Sequence, residues 1–209
     1  MELQFLIPIA VFCGAFIGGV ILAIAPKLKS LFKHKHFHHN PLDTLARDMK
    51  IQDKLAELRV KIGANRVYIA KFHNGEEFFD GMSIKKISKT HETCYQGVSH
   101  EFLSCQNIMT SLVPEAMSIV ALSKKTGNPI IKCTKSLSEG GFLNNHLTGL
   151  GIKTFGKYRL LIGERLVGYI GMHFKEEKCD IGSEKLQIIK EMGGVIENIF
   201  ATNPKDFEI

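Results

Sequence analysis

Cysteine is sparse in this chain and shows no pairing pattern. There are five, Cys13, Cys94, Cys105, Cys133 and Cys179, and no two stand in a CxxC arrangement. An odd, scattered set argues against a secreted disulfide scaffold and fits a reducing compartment. Those spacings yield no zinc site either. Equally absent are a P-loop, GxSxG, HExxH and a GxGxxG that opens a helix, which removes the common nucleotide, hydrolase and metalloprotease readings. Ser138-Glu139-Gly140-Gly141 is a turn and not a phosphate cradle, because no lysine-bearing helix follows it. Glu76-Glu77 and Glu176-Glu177 read as polar loops facing water. No basic face is visible either. The formal charge of +6 sits mostly at the head of the chain, and later lysines are interspersed with Glu and Asp. That pattern excludes a nucleic-acid partner. No internal repeat is present.

Charge is also missing from Leu3 to Ala25, and there the absence is itself a signal. These 23 residues carry no charged side chain, and Lys27, Lys29, Lys33 and Lys35 follow at once. About 20 apolar residues in a helix span a bilayer core. Positive charge flanking a span stays on the cytoplasmic side. The expectation is a single transmembrane helix over residues 1–26, with the four lysines at the membrane surface among anionic headgroups. Everything after it would lie in the cytoplasm. Ala23-Ile24-Ala25 resembles a signal-peptide cleavage site. Against that stand the missing basic n-region, the long apolar run and Pro26. Gly14 and Gly18 fit a small-xxx-small packing face, although glycine is common in membrane helices.

Residues 27–41 form a basic, His-rich juxtamembrane segment. His34, His36, His38 and His39 could gather a transition metal or simply extend the positive flank. Asn40-Pro41 then breaks the chain. Leu42, Leu45, Met49, Leu55, Leu58 and Ile62 recur at helical spacing, with Asn40 or Asp43 as N-cap and Gly63 as stop. This stripe suits either a second copy of the chain or the domain's own sheet. Arg66–Phe72 alternates as a strand and ends in the turn His73-Asn74-Gly75. A second strand is expected over Gly81–Ile87 and a third over Thr90–Val98. Ser111–Lys125 reads as a helix, Ile130–Cys133 as a strand and Asn144–Leu150 as a short helix. Lys157–Ile162 and Leu166–Phe174 form a hairpin around Gly163-Glu164-Arg165. Asp180 or Ser183 caps a last helix, Glu184–Ala201. The fold class is α+β, a central antiparallel sheet flanked by helices, preceded by one transmembrane helix. The domain spans 42–203 and a tail spans 204–209.

Three of these features resemble a GAF domain, the sensor fold related to PAS. The leading helix runs straight into Arg66-Val67-Tyr68-Ile69. The hairpin Tyr158-Arg159-Leu160-Leu161-Ile162 with Leu166-Val167-Gly168-Tyr169-Ile170-Gly171-Met172 is similar to the family's closing strands. A final helix packs under them. Phe72-His73-Asn74-Gly75 is also similar to a sequence in GAF-like proteins of tailed phages. The resemblance implies a small-molecule ligand between the sheet and the mid-chain helices and loops. It would be bound by Phe72, His73, Asn74, Met82, Tyr95, His100 and Phe102, with Ile108–Leu112 nearby. The NKFDE-like signature of cyclic-nucleotide GAF domains is missing, and no cysteine is placed for a bilin. The cofactor, if there is one, stays unknown.

The reading is a membrane-anchored small-molecule-binding or adaptor protein, acting by ligand binding or homodimerisation and not by catalysis. No kinase, cyclase or methyl-acceptor unit follows the last expected helix, which leaves output to a partner or to the membrane segment. Two alternatives stand beside it. Cys94, Cys105 and Cys133 resemble the order found in GAF-fold methionine sulfoxide reductases, where one thiolate attacks sulfur and another resolves the sulfenic acid. The single span followed by a similar late hairpin and helix also resembles a phage holin, a lysis effector whose domain lies outside the membrane.

Overall fold

The computed structural model describes residues 41–77, 83–177 and 180–202. Residues 41–202 belong to one compact unit. The expected transmembrane helix, Lys27, Lys29, Lys33, Lys35, the His-rich tract, Met82 and the 204–209 tail lie outside the described residues. Among the described residues no helix is long and apolar enough to cross a membrane.

A 3-10 turn, Pro41–Thr44, leads into α1, Leu45–Ile62. Gly63, at φ 69°, ends it in the left-handed conformation that glycine adopts without steric cost. No side chain caps its start. The strands are β1 (Arg66–Glu77), β2 (Ser83–Cys94) and β3 (Ile108–Met109). A 3-10 turn over Thr110–Leu112 then delays α2 to Pro114–Thr126, with proline in its first turn. β4 (Ile130–Cys133), α3 (Phe142–Gly149), β5 (Thr154–Ile162), β6 (Arg165–Phe174) and α4 (Ser183–Ala201) complete the order. Asp180 supports the start of α4 by accepting a 2.8 Å hydrogen bond from the Gly182 N–H.

All six strands join one curled antiparallel sheet in the order β3-β2-β1-β6-β5-β4. Strand alternation divides the core into two layers. Val67, Ile69, Ile170 and Met172 face α1 and α4, where they meet Ile51, Leu55, Leu58, Ile189 and Ile196. Tyr68, Ala70 and Tyr169 face the other way, towards Val120 of α2, and Phe155 joins Ala116, Leu143 and Leu147 there.

Three local expectations are corrected. His73-Asn74-Gly75 is not a turn; β1 continues through it, paired with β2 (Asn74 opposite Lys85), and Lys85 donates a 2.9 Å hydrogen bond to Asn74. The expected second and third strands are one strand, β2, with an irregularity that leaves Thr90 unpaired between His91 and Lys89. The inner stripe of α1 runs through Ile51, Leu55, Leu58 and Ile62. Leu42, Leu45 and Met49 are exposed, because Leu45 and Met49 fall on the far side of the helix from that stripe.

Candidate functional site

Charged residues are buried where β1, β2 and β6 meet. Arg66 opens β1 only 2% exposed. Its Nη1 donates to Glu101 Oε1 at 2.5 Å and lies 3.3 Å from His173 Nδ1, while Nη2 donates to the Ser99 carbonyl. Its Nε is 3.0 Å from Glu92 Oε1, an ion pair without hydrogen-bond alignment. Lys89 donates to Glu101 Oε2 at 2.5 Å and sits 4.1 Å over the Tyr68 ring. The second Glu92 oxygen accepts the backbone N–H groups of Glu101 (2.8 Å) and Phe102 (3.2 Å). So four buried charges fold the segment after β2 back onto the sheet. Gln106 secures it by donating to the Lys89 and Phe102 carbonyls.

That fold-back makes one wall of a cavity of about 220 Å³. The sheet forms its floor through Tyr68, Ala70, Lys157, Tyr169 and His173. Ala116 of α2 and Phe142, Leu143, His146 and Leu147 of α3 form its roof. Cys105 and Lys89 close the side. Gly171 matters here: a β-carbon at that position would collide with the Tyr68 ring, so glycine lets the tyrosine lie across β6.

Four of the lining side chains carry nitrogen, and they differ sharply in character. Lys157 is fully buried, which, with Lys89 nearby, pushes its amine down to about 7. Its Nζ lies 3.5 Å from the Tyr68 hydroxyl and 4.0 Å over the Tyr169 ring. Among the described residues it has no carboxylate partner. His146 pairs with Cys105 and Glu101, and those contacts raise its imidazole to about 9. Burial and the neighbouring Lys89 keep His173 neutral, well below the ordinary histidine range. Burial alone would raise the Cys105 thiol, but His146 and Lys89 outweigh it and lower it. Burial likewise opposes ionisation of Glu101, yet His146 and Lys89 hold its carboxyl well below the usual range.

The residues expected from the sequence are dispersed. Phe72, His73 and Asn74 line a separate depression with Lys85 and Arg165. His73 Nε2 is 2.9 Å from the Ser88 hydroxyl. Tyr95 is exposed, with the Arg59 guanidinium 5.8 Å from its ring centroid. His100 is exposed, and its Nδ1 lies 3.1 Å from Glu92 Oε2, beside the exposed Phe102 ring. None of these lines the cavity, whereas Ile108 of the expected nearby segment does. Of the three reductase-like cysteines, Cys105 lines the cavity, while Cys94 groups with Glu92 and His100. Cys133 is disulfide-bonded, which runs against the expectation of a reducing compartment. The cavity residues missed by sequence reading, Lys89, His146, Lys157 and His173, come from four separate elements. One signal was available: a lysine amid the apolar residues of β5.

No family model matches the chain, and no curated protein matches it in sequence. Solved structures do share its fold. A phycocyanobilin-bound GAF domain from a cyanobacterial phytochrome is 17% identical with a TM-score of 0.57, over 88% of this chain and 93% of that one. A phycoerythrobilin-bound counterpart is 16% identical with a TM-score of 0.57, over 88% and 94%. The cyanobacteriochrome receptor PixJ is 15% identical with a TM-score of 0.56, over 76% and 97%. At such identities the likeness shows the fold. It is GAF-like.

Proposed function

We propose that this chain is a ligand-binding sensor or adaptor whose domain takes a small anion into the cavity beneath α2 and α3. One observation carries the reading: Lys89, His146, Lys157 and His173 line the cavity and no carboxylate does, among the described residues. Lys89 and His146 are engaged by Glu101, but Lys157 is a buried amine without a counter-ion. An entering carboxylate or other oxyanion would supply one, and the Ala116, Leu143 and Leu147 side chains suit a short apolar body. The cavity, about 220 Å³, suits a small ligand. Binding and not turnover is the favoured activity, because the cavity presents a counter-ion site and apolar walls.

We place the domain at a membrane through the uncharged Leu3–Ala25 segment and on the cytoplasmic side through Lys27–Lys35. The Cys133 disulfide is the observation that opposes this side, since disulfides persist in oxidising compartments. Protease protection of vesicles decides between the two. Exposed Leu45 and Met49 on α1, with Leu42 in the turn before it, support homodimerisation through this face.

The test of the ligand reading uses the full-length protein in detergent. Small molecules released on denaturation are identified by mass spectrometry, in wild type and in Ala116→Phe, whose ring fills the cavity. The expected result is an oxyanion-bearing compound present in the first and depleted in the second. Equal recovery from both, or recovery of uncharged compounds alone, overturns the reading.

A further inference from the structure

Glu101, Cys105 and His146 bring one oxygen, the sulfur and one ring nitrogen within 4.8 Å of one another, and of the three Cys105 and His146 line the cavity. Such a trio can hold a metal ion or activate a thiol. The surroundings decide between them. Both Glu101 oxygens already hold a cation at 2.5 Å, Arg66 on one and Lys89 on the other. A metal would have to displace those bonds and sit against the Lys89 ammonium. Positive surroundings favour instead an anion at the one partner able to become one, the Cys105 sulfur.

We propose that Cys105 is a reactive thiolate that hydrogen peroxide oxidises to a sulfenic acid inside the cavity. Its backbone is fixed, because the Lys89 N–H donates to the Cys105 carbonyl at 3.0 Å. The groups facing the sulfur are Lys89 from β2, Glu101 from its own segment and His146 from α3. Tyr68, Lys157 and Tyr169 face it from the floor strands. His146 and Lys89 outweigh burial and Glu101, so the thiol ionises more readily than an ordinary cysteine. The second free cysteine of the described residues is a built-in contrast: burial raises the Cys94 thiol.

In the step, the thiolate sulfur attacks one peroxide oxygen. The S–O bond forms as the O–O bond breaks, and the departing hydroxide takes the proton of the His146 imidazolium and leaves as water. Sulfur loses two electrons and peroxide gains them. The inference stands on the trio and not on the anion reading; a cavity that binds no anion leaves it intact.

Two readouts on the full-length protein test it. The first is the rate of iodoacetamide labelling at Cys105 and Cys94, resolved by peptide mass spectrometry across pH. The second is dimedone capture of sulfenic acid after hydrogen peroxide. Around neutral pH, Cys105 labels about tenfold or more faster than Cys94, because a lowered thiol pKa raises the thiolate fraction. His146→Gln shifts the Cys105 profile to higher pH, and Cys105→Ser removes the dimedone adduct. Should His146→Gln fail to fold, the wild-type comparison still decides. Equal labelling of the two cysteines, or a dimedone adduct that survives Cys105→Ser, overturns the proposal.

Discussion

The Lys157 amine rests 4.0 Å above the ring of Tyr169, with no carboxylate in reach among the described residues. A buried ammonium over an aromatic face gains some cation–π energy, but not enough to replace lost hydration. The balance is visible in the amine's descent from 10.5 to about 7. Because the folded value lies below the unfolded one, the unfolded chain binds more protons between those two pH values. Stability is therefore fully present above the unfolded value and is lost as pH falls through about 7.

Lys157→Met follows directly. It keeps the volume and removes the charge, so the melting temperature at neutral pH rises and the gain in stability that Lys157 imposes from about pH 7 upward disappears. Each pH unit in that window costs the wild type up to about 1.4 kcal/mol. Thermal melts of both proteins over a pH series check this. A melting temperature that falls at every pH would contradict it.

Glu101 is the opposite case, a charge whose removal strands others. Glu101→Gln leaves Arg66 and Lys89 buried with Glu92 as their remaining carboxylate among the described residues. Removing one partner of a buried pair costs about 3–5 kcal/mol. Denaturant unfolding of Glu101→Gln should show a loss of that size. Pairing it with Lys89→Met should recover part of the loss, and a strictly additive double variant would contradict the network.

His146 supplies a second pH dependence with the reverse sign. Its folded value, about 9, is raised by Cys105 and Glu101. The stability it contributes is present below the ordinary histidine value of 6.5 and disappears as pH rises through about 9. His146→Gln should remove that component and leave the Lys157 trend uncompensated, seen as a steeper rise in melting temperature from pH 6 to pH 10 than in the wild type.

The architecture was largely legible because it is written in periodicity. The Leu55, Leu58, Ile62 stripe, the β5–β6 hairpin and α4 all combine a regular apolar repeat with a glycine or turn signal. The site was not, and Lys89 shows why. Strict alternation puts Lys89 with His91 on the face away from Tyr68 and Glu92. The unpaired Thr90 shifts register by one residue, so Lys89 lies opposite Ala70 and turns into the cavity. Nothing in Lys-Thr-His announces that bulge. His73-Asn74-Gly75 misled for a related reason: a turn-forming tripeptide was absorbed into β1 by long-range pairing with β2.

Thr90 itself can be tested. Deleting it regularises the ladder and keeps His91 opposite Ile69 and Lys89 opposite Ala70, because the bulged residue is the extra one. The deletion should weaken the folded domain less than Lys89→Met does, since the bond from Lys89 to Glu101 is retained. A deletion variant that unfolds in denaturant as readily as Lys89→Met would contradict the role given to the bulge.

The claim that the cavity is an anion site meets its most direct trial in calorimetric titration of the full-length protein with short carboxylates and their neutral amides. The account predicts that a carboxylate binds, that affinity strengthens as pH drops through about 7 where Lys157 gains its proton, and that Lys157→Met abolishes binding. Amides binding as tightly as the acids, or undiminished affinity in Lys157→Met, would contradict it.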